Sequence, residues 1–234
     1  MSRWALIPAR GGSKGIPRKN LRTIAGTSLL ERAILNAQSS KQFERVTVSS
    51  EDEEILTLAR ALGADIHERN MALAQDDTPT EAVFRNYLES FEQPNRPELI
   101  CCCECTSPFI EATHFQSVIE RLLLHPKIDT CMTICEVDHT SHAYNQRFIN
   151  NEELNFILPF QRVGTRRQTK PKFFKFGNLV IARSQHILNG GSFFSGRVGY
   201  VEIPKIYSIN IDEEEDIILA EAVARQYFLE NSYS

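Results

Sequence analysis

Short apolar runs alternate along the chain with stretches in which apolar residues recur every three or four positions. The first pattern is typical of buried strands, and the second of helices with one buried face. The runs that predict strands cover residues 4–8, 46–49, 64–67, 99–103, 130–137, 179–181 and 207–212. Because such runs and helical stretches alternate, the chain is predicted to be an α/β protein with a mostly parallel sheet and crossover helices.

Several residues mark the predicted helix ends. Thr27 or Ser28 can cap the first helix, and Gly63 suits the end of the second. Pro79 fits the first turn of a third helix, where its missing N–H group costs nothing. The carboxylates of residues 213–216 precede a closing helix, where they favour the positive end of the helix dipole.

One stretch breaks the alternation. Residues 139–175 contain aromatic and polar residues and a basic run, without clear periodicity. We interpret them as an inserted lobe or arm of an otherwise single domain that covers residues 1–234, a length that one α/β domain can fill.

The charge of the chain is low but unevenly distributed. The net charge is -4, whereas a general nucleic-acid binder usually carries a basic excess. Positive residues instead crowd one N-terminal stretch, at Arg10, Lys14, Arg18, Lys19 and Arg22. This pattern favours a small anionic ligand, so no nucleic-acid partner is expected. Because no apolar stretch reaches membrane-span length and Arg10 ends the first run too early for a signal peptide, we expect a cytoplasmic protein without a membrane partner.

The cysteines are unusually placed, with four of the six at positions 101, 102, 103 and 105. Adjacent cysteines in an apolar run cannot form an ordinary disulfide framework, so reduced thiols are expected. Cys102 and Cys105 have C-x-x-C spacing, but no second pair or histidine set completes a zinc site. We therefore expect buried free thiols on a central strand.

The strongest functional signal is the segment 8–20, PARGGSKGIPRKN, which directly follows the first predicted strand. Its glycines allow backbone N–H groups to approach an anion without interference from Cβ atoms. Arg10, Lys14 and Lys19 supply the charge that a triphosphate needs neutralised, and Asn20 can bond a ribose or a base edge. The spacing matches neither a Walker A loop nor G-x-G-x-x-G. Since open α/β sheets bind ligands at the carboxyl ends of their strands, we prefer a phosphate loop to a solvated basic loop.

This segment resembles the signature of the acylneuraminate cytidylyltransferases, the CMP-sialic acid synthetases and their relatives for other acidic sugars such as KDO. The resemblance covers nearly the whole chain. Further matching segments follow in the family's order, at residues 70–76 with Thr80, at 106–108, at 167–168, at 193–194 and at 209–212.

The resemblance implies a Rossmann-like nucleotidyltransferase fold, a three-layer sandwich with a mostly parallel sheet. It also implies a homodimer in which an extended arm helps to complete the partner's site, and residues 139–175 are the candidate dimerisation arm. The implied reaction is attack by the anomeric hydroxyl of a 2-keto acidic sugar on the α-phosphorus of CTP, with Mg²⁺ assisting. Pyrophosphate leaves and a CMP-sugar forms.

By the same resemblance, Arg10 and Lys19 are catalytic candidates that bind the triphosphate and stabilise charge on the leaving pyrophosphate. Asn20 is expected to face ribose or cytosine. Arg69 and Thr80 match positions near the nucleotide, although a surface arginine and a helix cap are equally good interpretations. The candidate nucleotide-binding residues are Ala9, Arg10, Gly11, Gly12, Ser13, Lys14, Lys19, Asn20, Arg69 and Thr80.

The candidate sugar-binding residues are Glu104, Arg167, Gln168, Phe193 and Phe194. A guanidinium suits a carboxylate through two parallel hydrogen bonds, but a solvated basic arm is the alternative for Arg167. The two phenylalanines are expected to pack on the sugar, with a core or interface position as the alternative. Glu104 stands where the family has glutamine, and it repels an anionic sugar unless it accepts hydrogen bonds from hydroxyls or an amine.

Asp212 is implied as a catalytic residue and metal ligand, because Mg²⁺ prefers one or two carboxylates plus phosphate oxygens. The family has an Asp-x-Asp pattern here, whereas this chain has Asn210 in the first position. An amide can still ligate the ion or hold a water molecule, but it removes one charge. A strand-to-helix cap is the alternative role of Asp212.

The sequence therefore predicts a CMP-sugar synthetase for a nonulosonic acid of the sialic, legionaminic or pseudaminic type. One alternative is a related nucleotidyltransferase with another sugar or base, of the CMP-KDO or GDP-sugar kind. The other is a degenerate, non-catalytic nucleotide-binding homologue, which Asn210 and Glu104 favour.

Overall fold

A computed structural model describes residues 1–159 and 170–229 of the chain, apart from the side chains of residues 228 and 229. The strands are β1 Arg3–Pro8, β2 Thr23–Ile24, β3 Thr27–Ser28, β4 Arg45–Ser50, β5 Asp65–Glu68, β6 Leu99–Cys102, β7 Thr130–Glu136, β8 Arg147–Asn150, β9 Glu153–Phe156, β10 Phe174–Arg183 and β11 Val198–Glu202. The α-helices are α1 Leu29–Ser39, α2 Glu53–Ala61, α3 Thr80–Glu89, α4 Ala112–Leu124, α5 Ser184–Leu188 and α6 Glu214–Val223, which continues as the π-helical turn Ala224–Leu229. Short 3-10 helices lie at Lys19–Leu21, Met71–Ala74, Gln93–Asn95, Ala143–Asn145 and Lys205–Ser208.

The central sheet has seven strands in the order β11-β7-β10-β6-β1-β4-β5. Strand β1 pairs in parallel with β4 and β6, β4 with β5, and β11 with β7. Strand β10 is the exception, because it lies between β6 and β7 and runs antiparallel to both. The predicted mostly parallel sheet is therefore confirmed.

Two hydrophobic clusters cover the two faces of this sheet. In β1, Ala5 and Ile7 belong to one cluster, whereas Trp4 and Leu6 belong to the other, as the alternation of side chains along a strand requires. The first cluster includes buried residues of α1, α2, α4 and α6, and the second those of α3 and α5. Helices on both faces of one sheet make the predicted three-layer, Rossmann-like sandwich.

The predicted helix ends also have physical counterparts. The Ser28 side chain caps α1 by accepting a hydrogen bond from the Glu31 N–H. Gly63 follows α2 with a φ of +72°, a left-handed conformation that favours glycine. Pro79 sits one position earlier than expected, since it precedes the first residue of α3.

Residues 207–212 do not form the predicted strand. The 3-10 helix Lys205–Ser208 covers their start, and the rest belongs to no sheet in the described chain. The position beside β6 is already filled by β10, so the segment crosses the end of the sheet instead. There the Ile211 N–H donates to the Thr106 carbonyl at 2.9 Å. The alternating pattern reflects packing of Ile209 and Ile211 on the core. The sequence also missed β11 and α5.

The irregular stretch 139–175 contains the hairpin β8–β9, whose turn residues Asn151 and Glu152 both have positive φ. The hairpin exposes the large apolar side chains of Phe148, Ile149 and Leu154. Residues 160–169 lie outside the described chain, and Arg167 and Gln168 are among them. A dimerisation role for this stretch stays a prediction.

All six cysteines are free and buried, as expected. Burial raises the pKa of the Cys103 thiol to about 12, so this thiol stays protonated at neutral pH. In the described parts of the chain, no group of three or more His, Cys, Asp or Glu side chains is placed to hold a metal ion. The C-x-x-C pair Cys102 and Cys105 therefore has no further ligands there.

Every helix in the described residues is too short or too polar to span a lipid bilayer.

Candidate active site

A cleft of about 530 Å³ lies at the carboxyl ends of β1, β5 and β6. It is where open α/β sheets place ligands, because the loops that leave neighbouring parallel strands meet at one edge. Its walls hold most of the predicted nucleotide residues together with residues from the far end of the chain. They are Pro8, Arg10, Ser13, Lys14, Gly15, Lys19, Asn20, Arg69, Leu73, Gln75, Asp76, Thr78, Thr80, Val83, Glu104, Cys105, Thr106 and Asp212.

The start of the phosphate loop is fixed by the protein itself. The N–H of Ala9 donates to the Ser49 carbonyl, and the N–H of Gly11 donates to Oε1 of Glu51 at 2.7 Å. These two N–H groups are therefore already paired within the protein, and the assignment of Ala9 and Gly11 to the nucleotide site stays a prediction. A Cβ atom on Gly11 would lie 2.3 Å from Oδ2 of Asp52, whereas the same position on Gly12 is open.

Arg10 and Lys14 face each other across one carboxylate. Nη1 of Arg10 lies 2.5 Å from Oδ1 of Asp76, and Nζ of Lys14 lies 2.6 Å from Oδ2 of the same residue. Hydrogen bonds from Lys14 and then Arg10 lower the pKa of Asp76, so it is held as a carboxylate. Sequence reasoning missed this contact, although Asp76 lies in one of the matching segments.

Lys19 joins the phosphate loop to the last loop before α6. Its Nζ donates to Oδ1 of Asp212 and to the carbonyl of Ile211, both at 3.0 Å. The loops are also closely packed, because a Cβ atom on Gly15 would lie 2.7 Å from the Asp212 carbonyl oxygen. Two of the three catalytic candidates are thus in direct contact.

Asn20 is buried and braces the loop. Its Nδ2 donates to the Arg10 carbonyl at 2.9 Å, so one of its two N–H groups is used within the protein rather than for a ribose or a base. Thr80 lies on the cleft wall as the first residue of α3. The helix-cap interpretation of Thr80 is not supported, because Pro79 holds the cap position.

Arg69 is not a surface residue. Its side chain is 4% exposed and pairs with Glu51, whose side chain is 9% exposed. Nε and Nη2 of Arg69 donate to Oε2 of Glu51 at 3.0 and 2.9 Å. Because Arg69 also lines the cleft, the guanidinium is held in place beside the candidate nucleotide site.

Glu104 lies on the cleft wall directly beyond β6. Burial first and then the charge of Asp212 raise its pKa, while Lys19 acts in the opposite direction. Within the described residues we find no hydrogen bond to its side chain. Glu104 is only half-buried by accessible surface, and a carboxyl group with reduced hydration and no protein partner is a candidate ligand contact.

A second cavity of about 520 Å³ adjoins the cleft at Asp212, which lines both. Its wall includes Lys175, Lys205 and Phe176, together with Asn178 and Asn210. Nδ2 of Asn178 and Oδ1 of Asn210 are buried and have no hydrogen-bond partner in the described part of the chain. Polar groups left in this state are commonly satisfied by water or ligand.

Asn178 carries a further sign of function. It has a φ of +74°, which is rare for a residue other than glycine, and it lies where the register of β10 against β7 shifts. Such strained positions concentrate at functional sites. This conformation could not be predicted from the sequence, because a bulge depends on the partner strand.

The two predicted aromatic residues have different environments. Phe193 is buried in the core and packs edge-to-face on Phe84, with ring centroids 4.9 Å apart. Its ring leaves no surface for a sugar, so the core alternative applies to Phe193. Phe194 is exposed and contacts Phe176, which lines the second cavity.

Asp212 and Asn210 are adjacent in space as well as in sequence. Nδ2 of Asn210 donates to Oδ2 of Asp212, and the Asp212 N–H donates to Oδ2 of Asp216. The pair comprises one carboxylate and one amide oxygen, and both residues line the second cavity. This donor set is small but fits Mg²⁺, which takes its remaining ligands from phosphates and water.

The chain is similar in sequence to several known proteins. The model of the cytidylyltransferase family matches residues 4–154. N-acylneuraminate cytidylyltransferase A of Danio rerio is 29% identical over 93% of this chain and 49% of its own length. Pseudaminic acid cytidylyltransferase of Campylobacter jejuni is 35% identical over 53% of this chain and 54% of its own length. The chain thus spans about half the length of these curated relatives.

A solved structure supports the fold. CMP:2-keto-3-deoxy-manno-octonic acid synthetase complexed with CTP superposes with a TM-score of 0.72, covering 97% of this chain and 99% of that one at 13% sequence identity. The family match covers well over half of the chain, and the fold has the same architecture as a CTP-binding protein. The chain therefore belongs to the cytidylyltransferase family, which its phosphate loop resembles.

Proposed function

We propose that the protein transfers CMP from CTP to the anomeric hydroxyl of an acidic nonulosonic sugar of the sialic, legionaminic or pseudaminic type, and releases pyrophosphate. The observation that carries this proposal is the meeting of the phosphate loop with Asp212 in one cleft. Arg10, Lys14 and Lys19 give the cleft the charge that a triphosphate requires. The relatives named for sialic and pseudaminic acid support the choice of sugar.

Each of the two cavities holds one substrate in this proposal. CTP occupies the cleft beside the phosphate loop, and the sugar occupies the second cavity. There Lys175 can attract the sugar's carboxylate, and Lys205 can do so when the carboxylate displaces its present partner Asp138. Asp212 lines both cavities, so the transfer takes place beside it. Holding both reactants next to one residue converts a bimolecular reaction into one within a complex.

The residues of the cleft have separate roles in this reaction. Phosphate oxygens displace Asp76 from Arg10 and Lys14, which then neutralise the β- and γ-phosphates. Lys19 stabilises the charge that develops as pyrophosphate departs. Asn178 in the second cavity orients the sugar by hydrogen bonds to its hydroxyl or amino substituents. Glu104, on the wall of the cleft, contacts the part of the sugar that reaches toward the α-phosphate.

Mg²⁺ is part of the proposal, with Asp212 and Asn210 as the residues that would hold it. When bound, the ion would neutralise phosphate charge and polarise the α-phosphate. The buried Oδ1 of Asn210 is the observation that fits a cation, because this acceptor has no donor among the described residues.

We also propose a homodimer. The hairpin β8–β9 exposes Phe148, Ile149 and Leu154, with 49%, 77% and 62% of their surfaces accessible. A second copy of the chain would cover these side chains, and burial of such apolar area favours association. Light scattering tests this, and a monomer at micromolar concentration would contradict it.

A cytoplasmic location is proposed as well, because free cysteines persist in reducing compartments. Fractionation of the native host tests it, and recovery of the protein outside the cytoplasm would contradict it.

Activity assays test the main proposal. The protein is incubated with Mg²⁺, one acidic sugar and CTP, UTP, GTP or ATP, and released pyrophosphate is measured. We expect turnover with CTP and a nonulosonic acid. Turnover with GTP instead would contradict the base, and turnover with KDO alone would contradict the sugar class.

A non-catalytic nucleotide-binding protein is the second candidate, and Asn210 is the observation that favours it. Asn210→Asp tests this, because it adds the second carboxylate, and Asn189→Asp at the end of α5 is a matched control. If the protein is an enzyme, wild type is active and Asn210→Asp lowers the half-saturating Mg²⁺ concentration. Magnesium-dependent activity in Asn210→Asp alone would support the second candidate.

A further inference from the structure

Glu51 connects two parts of the cleft without lining it. It directly follows β4, and its carboxylate is divided between two partners. Oε1 accepts the N–H of Gly11 at 2.7 Å, and Oε2 accepts Nε and Nη2 of Arg69 at 3.0 and 2.9 Å. Gly11 begins the phosphate loop, whereas Arg69 lies just beyond β5 on the cleft wall. One carboxylate thus sets the spacing between two candidate nucleotide-binding elements.

The ion pair between Glu51 and Arg69 is buried, which restricts both side chains to one geometry. With side-chain exposures of 9% and 4%, Glu51 and Arg69 have lost most of their hydration, which costs free energy unless charge and hydrogen bonds replace it. Both nitrogens on one edge of the guanidinium are used by Glu51. The N–H groups on Nη1 have no partner in the described part of the chain, so they remain for a ligand.

Arginine loses considerable rotamer freedom when it is immobilised. If Glu51 holds the guanidinium before the nucleotide arrives, this loss of entropy occurs on folding and does not weaken nucleotide binding. The same argument applies to the glycine-rich loop, whose backbone is otherwise free to change conformation.

We propose that Glu51 is a positioning residue for the nucleotide: it orients Arg69 and fixes the start of the phosphate loop, and so it sets CTP affinity without touching CTP. The inference rests on the proposed function, since it takes CTP as the ligand. The neighbouring Asp52 has a different role, because it pairs with Arg18 and caps α2.

The test is Glu51→Gln in the full chain. The amide keeps an acceptor for Gly11 but loses the charge that holds Arg69. We expect the Kd for CTP in magnesium buffer, measured by calorimetry, to rise on the order of tenfold, while the KM for the acidic sugar changes less than twofold. Glu53→Gln is the matched control, because Glu53 makes an exposed pair with Arg60 nearby, and its CTP affinity should equal that of wild type.

A double-mutant cycle identifies the route. If Glu51 acts through Arg69, Glu51→Gln should weaken CTP binding much less in an Arg69→Met background than in wild type. Equal effects in both backgrounds would overturn the role through Arg69, and a folded Glu51→Gln protein with wild-type CTP affinity would overturn the proposal altogether.

Misfolding of the variant and failure of wild type to bind CTP can each be recognised. If Glu51→Gln does not fold, as judged by circular dichroism, Glu51→Asp is measured in the same way. It keeps the charge but withdraws the carboxylate, so unchanged affinity would overturn the inference. Wild-type protein that binds no CTP would overturn the proposed function first, and the inference with it.

Discussion

Nζ of Lys19 lies 3.0 Å from Oδ1 of Asp212, although 193 positions separate the two residues along the chain. The contact joins the phosphate loop to the last loop before α6 at the wall of the cleft. It also places a cation of the candidate nucleotide site beside the candidate metal ligand. In a complex with a triphosphate and Mg²⁺, Lys19 would pair with phosphate oxygens and Asp212 with the ion. We therefore propose that the transfer takes place between these two residues.

Removal of the Lys19 charge should reduce catalysis without unfolding the protein. Lys19→Ala is expected to lower kcat on the order of 10²- to 10³-fold, because a preorganised charge at the reacting phosphate is lost. Pyrophosphate release measures this, and thermal melting checks the fold. Lys127→Ala removes an exposed lysine far along the chain and should leave turnover unchanged. Wild-type turnover in Lys19→Ala would contradict the assignment.

The two adjacent glycines of the phosphate loop should respond differently to alanine. In Gly11→Ala the new Cβ atom meets the Asp52 carboxylate at 2.3 Å, whereas in Gly12→Ala it meets open space. We expect Gly11→Ala to lower the free energy of unfolding by about 1–3 kcal/mol and to weaken CTP binding. Gly12→Ala is the control for stability. Equal melting temperatures for the two variants would contradict the packing of the loop on Asp52.

Glu104 should make stability depend on pH. Its folded-state pKa is raised by burial and by Asp212, with Lys19 opposing. The folded protein therefore binds the proton more tightly than the unfolded chain does. The group imposes no penalty below the unfolded pKa, but stability is lost as the pH rises through the folded pKa.

Glu104→Gln removes this loss. We expect its melting temperature to match that of wild type at the acidic end and to exceed it above the usual glutamate range, by an amount that grows until the folded-state pKa is passed and is constant beyond it. Melting curves measured across this range test the prediction, with Glu53→Gln as an exposed control. A melting-temperature difference that does not change with pH would contradict it.

Phe193 and Phe194 should differ in their contribution to stability, because Phe193 is buried and Phe194 is exposed. Phe193→Ala should lower the free energy of unfolding by about 3–5 kcal/mol, because the ring is fully packed against Phe84. Phe194→Ala should cost about 1 kcal/mol or less, since only the contact with Phe176 is lost. Chemical denaturation measures both. A larger loss for Phe194→Ala would reverse the assignment.

The phosphate loop shows how far local sequence can lead. The apolar run before it, its glycines and its basic residues are all contiguous, so β1, the loop and its position at the sheet edge were predictable. The same holds for α1, whose cap at Ser28 is a local interaction. The strand predicted at 207–212 failed because alternation alone cannot tell a sheet partner from packing against the core.

The sequence by itself determined the α/β architecture, the burial of β1 and the basic loop, because strand period, helix period and glycine chemistry act over a few neighbouring residues. Only the tertiary structure decided that Asp76 faces Arg10 and Lys14, that Glu51 joins Gly11 to Arg69, and that Phe193 lies in the core. These contacts join residues far apart in the chain. Their geometry depends on the order of the strands in the sheet, which no local pattern encodes.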